Sequence, residues 1–124
     1  MSNPSLKPVI YNPSDRELIA VVKKAACQHF EITESQLVND SNPAVANIRF
    51  LCMWLIVENT GLKDYMIASI FNKSRSTVIY GIGVVDIHKK IYRQTIDNLQ
   101  TVAKIANTFE KKYPWRILPI STTN

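Results

Sequence analysis

Apolar positions along the chain return every three to four residues in separated stretches, the period of helices with one buried face. The first set is Leu18, Val21, Val22, Ala25, Ala26 and Phe30, which leaves Lys23 and Lys24 toward solvent. Ser14-Asp15-Arg16-Glu17 precedes it and fits a capping box, with Ser14 as N-cap and Glu17 three residues on. The spacing predicts a helix from there to about Phe30. Thr33 suits the cap of a short helix through Leu37 and Val38, after which Asn39-Asp40-Ser41-Asn42-Pro43 is dense in turn formers. Pro43 fits a first helical position, where its missing N–H costs nothing. The stretch from Ala44 to Asn59 is apolar nearly all round, as a helix at the centre of a domain would be, and Gly61 is placed to end it as a C-cap.

A fourth helix is predicted from Lys63 or Asp64 to Phe71 or Asn72, then a short polar break and a new helix opening near Ser74. By propensity alone Thr77 to Val85 would be a strand, being rich in β-branched residues. Helix is the better reading, because Val78, Ile82, Val85 and Tyr92 share a face at helical spacing and a strand would have no partner. Gly81 and Gly83 then suit the close approach of a neighbouring helix. The run from His88 to Arg93 closes that helix with cations at its negative end. Thr95 is placed to cap a last helix carrying Ile96, Leu99, Val102, Ala103, Ala106 and Phe109, which Pro114 stops. The expected organisation is all-α: an extended arm over residues 1–13, a domain of five to six helices over 14–113 and an extended tail over 114–124. Trp115 is expected to pack back on the body.

Composition agrees with a single core: 124 residues, 46% apolar and 20% charged, with three glycines, too few for a fold of many tight hairpins. The net charge of +5 is uneven. Residues 1–62 hold five Lys or Arg against six Asp or Glu, and residues 63–124 hold ten against four. The surplus begins where the helical break begins, and a basic face favours polyanions through counterion release. Cys27 and Cys52 form no C-x-x-C pair and are expected as buried free thiols. No leader peptide or membrane-length apolar run is present, so an intracellular, cytoplasmic setting is expected, away from any membrane. His29 and His88 are read as ordinary satisfied histidines, and Glu31, Glu34, Asp86 and Asp97 are scattered. No nucleophile, base and orienter converge, so neither an enzyme nor a metal or other cofactor is expected.

The stretch Ile67 to Tyr80 has the order of parts of a helix-turn-helix, about residues 63–93 in all, whose second helix opens with hydroxyl and basic side chains. Phe71-Asn72-Lys73-Ser74-Arg75-Ser76-Thr77-Val78 resembles the signature of the C-terminal DNA-binding domain of the bacterial replication initiator DnaA, a domain related in fold to the Trp repressor. That family reads Phe-Gly, an optional residue, then Arg-Asp-His-Ser/Thr-Thr-Val. The resemblance extends back through Val45-Ala46-Asn47-Ile48-Arg49, where the family tends to read Val-Ala-Arg-Pro-Arg, and covers roughly residues 15–93. It implies a module that binds double-stranded DNA, as a regulator or an accessory replication factor. Ser74, Arg75, Ser76 and Thr77 match the positions that read base edges in the major groove. Lys73 matches an arginine beside the turn, and Lys73, Arg49, Asn47, Lys63 and Tyr80 are the positions expected to hold the DNA backbone.

The chain also departs from that pattern. The basic loop that the family places before its long helix is here Asn39-Asp40-Ser41-Asn42, and Asn47 stands where a groove-inserting arginine is usual. Tyr80 replaces a histidine, while Gly83 and Val84 replace a basic pair. Fewer phosphate contacts mean weaker, less salt-sensitive binding. The alternative these replacements leave open is a protein-interaction module of the same fold, which binds a replication or regulatory protein. No G-x-x-x-x-G-K-[ST] loop occurs, and glycines at 61, 81 and 83 could not build one, so no nucleotide is expected.

Overall fold

The computed structural model describes residues 13–109 and 111–117. The arm expected over 1–12 and the end of the tail, 118–124, lie outside the described residues. Six helices follow in chain order: α1 (Pro13–Phe30), α2 (Glu34–Asn39), α3 (Pro43–Asn59), α4 (Asp64–Phe71), α5 (Arg75–Ile91) and α6 (Arg93–Ala106). Among the described residues there is no strand.

The central element is α3. Asn42 caps it by accepting the Ala44 N–H at 2.8 Å, and Pro43 occupies its first turn. Every side chain from Arg49 to Ile56 is buried, because α1, α2, α4 and α5 all pack on this helix. Against α1 and α5 lies α6. Trp54, buried to 1% exposure, spends its one polar group on Asp86 of α5, Nε1 donating to Oδ1 at 2.7 Å. A buried apolar side chain of this kind contributes roughly 1.5–3 kcal/mol. The Lys89 ammonium stands 3.9 Å over the Trp54 ring without a hydrogen-bond partner, and burial pulls its pKa below the usual lysine value.

Capping chemistry fixes the smaller helices. Thr33 Oγ1 accepts the Gln36 N–H at 3.1 Å and Gln36 Oε1 accepts the Thr33 N–H at 2.8 Å, a reciprocal capping box at the start of α2. The turn from α1 into α2 uses a left-handed residue, Glu31 at φ 57°. At the far end of α2 the last carbonyls have no helical partners. The Arg49 guanidinium supplies them, Nε donating to Leu37 O at 2.7 Å and Nη2 to Asp40 O at 2.6 Å.

Four local expectations need correction. Helix α1 begins at Pro13, so Ser14 lies inside its first turn and is not the N-cap; proline, with φ already helical, is well suited to that position. Gly61 does not cap α3, and its φ is not positive. Instead Asn59 Nδ2 and Thr60 Oγ1 donate to the carbonyls of Leu55 and Ile56, at 2.9 and 2.7 Å, and end the helix with side chains. Thr95 lies inside α6, which follows α5 after a single residue, Tyr92, and ends at Ala106, short of Phe109 and Pro114. That junction turns Tyr92 outward, off the Val78, Ile82 and Val85 face. The tail returns to the body as expected of Trp115, whose Nε1 donates to Asn107 Oδ1 at 2.9 Å, while Asn59 pairs with both backbone groups of Arg116.

Helix α5 forms against its propensity. Val78, Gly81 and Val85 make a buried stripe at helical spacing, and the packing of that stripe on α3 and α4 outweighs the few tenths of a kcal/mol per β-branched residue. Gly81 is the closest approach: a Cβ there would stand 2.3 Å from Phe50 Cδ1. Gly83 differs, with nothing within 4 Å of the corresponding position.

Candidate nucleic-acid interface

The break between α4 and α5 is three residues long and is set by backbone conformation. Asn72 adopts the left-handed region, φ 52° and ψ 48°, where asparagine is tolerated better than most residues. This is the position at which the resembled signature has glycine. The Lys73 N–H reaches back to Ala68 O at 3.0 Å and the Asn72 N–H to Ser69 O at 3.3 Å, closing α4. Phe71 is fully buried beneath the turn and anchors it to the core.

Ser74 then opens α5 in extended conformation, φ −73° and ψ 155°. Its Oγ accepts the Thr77 N–H at 3.1 Å and lies 2.8 Å from Thr77 Oγ1. These two hydroxyls, both placed at base-reading positions by the sequence, are engaged with each other in starting the helix. Ser76 is exposed on the same turn, with no side-chain hydrogen bond. Arg75 is the most prominent group there, its side chain 67% exposed, with Nε 2.9 Å from Oδ1 of Asp64 at the start of α4. No acidic side chain occupies the first turn of α5.

The positions expected to hold the DNA backbone divide. Lys63, at the N-cap position of α4, and Asn47, on the second turn of α3, are exposed; Lys73 is half-buried in the turn. Tyr80 is exposed, its ring edge-on to Phe50 at 5.9 Å. Arg49 is not at the surface: only 4% exposed, it is committed to the carbonyls of α2, and burial holds its pKa below the usual arginine value. Its role is structural. Asn47 also lines a cleft of about 350 Å³ that runs past Phe30, Phe50, Val84, His88 and Asn98.

Two features were missed by sequence reasoning. The sequence offers Asp64 only as a possible helix start, and a separation of eleven residues gives no sign that it meets Arg75. The second is an apolar outer face on α5, where Ile79, Ile87 and Ile91 are 52%, 56% and 63% exposed. That face was available from the sequence, since Ile87 and Ile91 fall on the side of the helix opposite Val78, Ile82 and Val85, with Ile79 on the flank between.

The two histidines are accounted for: His29 Nε2 lies 3.3 Å from Asn98 Oδ1, and His88 stacks edge-on with Tyr92. Among the described residues no three His, Cys, Asp or Glu gather to hold a metal ion, and no helix is long and apolar enough to cross a membrane. Both cysteines are free thiols; Cys52 is fully buried, which pushes its pKa up to about 12, and Cys27 is half-buried.

A bundle around one central helix, with a three-residue turn leading into a helix that displays its first residues to solvent, defines a helix-turn-helix domain. The family model for the bacterial DnaA protein helix-turn-helix matches residues 19–85. The chain belongs to that family, a family of DNA-binding domains. No curated protein matches the chain.

Proposed function

We propose that the chain binds double-stranded DNA through the first turn of α5, as a regulator or accessory replication factor. The observation that carries this reading is Arg75, an exposed cation at the positive end of a helix dipole. Such a position disfavours arginine unless anions lie nearby, and with one carboxylate, Asp64, at its Nε edge the side chain stays exposed to a further anionic ligand. Arg75 and Ser76 read base edges. Lys63 and Lys73 flank the turn and hold phosphates, with Asn47 and Tyr80 at the margins as neutral backbone contacts. Ser74 and Thr77 contribute chiefly by fixing where the helix starts.

Selection from a random duplex pool followed by fluorescence anisotropy tests this. Arg75→Ala is expected to relax preference at one base pair and to cost about 1–3 kcal/mol, whereas Lys73→Ala weakens all sequences alike and lowers the salt slope by about one. Equal losses on selected and random DNA for Arg75→Ala would refute base reading. A second reading rests on the exposed Ile79, Ile87 and Ile91 with open Gly83 between them. An apolar helix face of that length fits the groove or helix of a replication or regulatory protein. Absence of duplex binding near 50 mM salt, a condition in which phosphate-contacting proteins bind strongly, refutes the first reading and leaves the second standing.

A further inference from the structure

We propose that Asp64 is a positioning residue for base recognition: its carboxylate holds the Arg75 guanidinium so that the free end of the fork meets a guanine. The inference rests on the DNA-binding reading above and adds a residue and a base to it.

An arginine at the surface samples many rotamers, and each must be frozen when it docks on a base. Here the Asp64 carboxylate narrows that range by drawing the guanidinium to one side. Arg75 Nε is 2.9 Å from Asp64 Oδ1, and Arg75 has no second ion pair among the described residues. Arginine carries five N–H donors in a rigid planar fork. The contact is an ion pair at the Nε edge and no Arg75 N–H donates a hydrogen bond among the described residues, so the Nη donors are free, and a parallel pair of donors matches the O6 and N7 acceptors that guanine shows in the major groove. The other bases present no such pair of acceptors there.

The anchor is itself fixed. Asp64 is the first residue of α4, so its carboxylate sits where the helix dipole favours negative charge. Its side chain is 28% exposed, less than half the exposure of its partner. The pair also spans the two helices of the motif, from the first residue of α4 to the first residue of α5. An exposed ion pair contributes little to stability, so the placement is better accounted for by orientation than by folding. A carboxylate beside a phosphate-binding surface repels DNA in general. Its presence therefore lowers affinity for random sequence while raising preference for guanine, and these two effects have opposite signs.

The experiment uses the full chain. A selected duplex and its single-base variants are titrated by anisotropy at fixed salt with wild type, Asp64→Ala, Asp64→Asn, Arg75→Ala and the Asp64→Ala/Arg75→Ala double variant. Arg75→Ala should level the preference at one guanine. Asp64→Ala should lower the preference at that same base pair about tenfold, the discrimination of one bidentate contact, with affinity for random duplex unchanged or raised. Asp64→Asn, closer in shape, should lower it less. The double variant should discriminate no worse than Arg75→Ala alone. In wild type, 7-deazaguanine at that position, which lacks the N7 acceptor, should reproduce the loss. The preference is a ratio of affinities on one sample, so a smaller folded fraction cancels out of it.

A purely structural Asp64 would weaken all duplexes by one factor and leave the ratio intact, and that result overturns the inference. So does a loss of preference at a different base pair. If wild type selects a sequence and Asp64→Ala keeps its preference, the positioning role alone falls. If wild type selects nothing, the DNA-binding reading falls and the positioning role with it.

Discussion

Gly81 and Gly83 stand two residues apart in α5, and replacing each with alanine should move stability in opposite directions. In a helix interior alanine is favoured over glycine by roughly 0.8–1.0 kcal/mol. At Gly83 nothing lies within 4 Å of the new methyl, so Gly83→Ala should gain that amount, about 1 kcal/mol. At Gly81 the methyl would stand 2.3 Å from Cδ1 and 2.8 Å from Cγ of Phe50, where carbon atoms prefer roughly 3.5–4.0 Å. The Phe50 ring is buried and braced edge-on by Tyr80, and its Cγ cannot move away without a change of χ1 or a shift of the helix. Overpacking of this kind costs about 1–3 kcal/mol, which leaves a net loss near 1 kcal/mol after the propensity gain. Urea denaturation followed by circular dichroism should therefore separate the two variants by about 2 kcal/mol in midpoint stability, at an unchanged m-value. If Gly81→Ala is as stable as wild type or better, Phe50 relaxes freely, and the tight α3–α5 approach is not what requires glycine there.

Other outcomes follow from single contacts. Arg49→Lys should destabilise by about 2 kcal/mol in the same assay, because an ammonium cannot serve the carbonyls of Leu37 and Asp40 in the fork geometry seen here. It should leave the salt slope of DNA binding unchanged. Asn72→Ala should cost about 1 kcal/mol and Asn72→Gly nothing, since only the backbone conformation at φ 52° is at issue; equal losses would point to a side-chain role. With Lys63, Lys73 and Arg75 as the cations of the interface, log K should fall with log salt at a slope no steeper than about −3, measured by anisotropy. Cys52 gives a pH dependence. Its thiol holds its proton to about pH 12 in the folded chain, against 9.0 for the ordinary thiol. Its contribution is complete below pH 9 and is lost as pH rises from 9 toward 12, at about 1.4 kcal/mol per pH unit. Denaturation at two alkaline pH values should show a shallower fall for Cys52→Ala than for wild type.

The helices were legible because their signals are local. Thr33, Pro43 and Ser74 start helices by hydrogen bonding or ring geometry within a turn of themselves, and the all-round apolar stretch of α3 could only be central. Where the expectation slipped, two local chemistries competed for one job. Ser14 and Pro13 both suit a helix start, and proline took it; Gly61 was free to cap α3, but Asn59 and Thr60 reached the last carbonyls first. In α5 the local signal pointed to strand, and only the buried stripe of Val78, Gly81 and Val85 reverses it.

The candidate site was less legible because its charges are sorted by tertiary structure. Arg49 and Arg75 look alike in sequence, each a helical arginine in a DNA-binding pattern. In the fold the first is drawn inward by the orphan carbonyls of a six-residue helix too short to satisfy them, while the second meets one carboxylate and stays in solvent. A count of basic residues therefore overstates the surface that a polyanion meets. Around α4 and the start of α5 the fold leaves three cations, Lys63, Lys73 and Arg75, and sets the last of them beside a carboxylate. On the proposed DNA-binding reading, an interface with so few cations would lose affinity from its missing phosphate contacts but keep discrimination, because discrimination would depend on the geometry of Arg75 and not on the total charge around it.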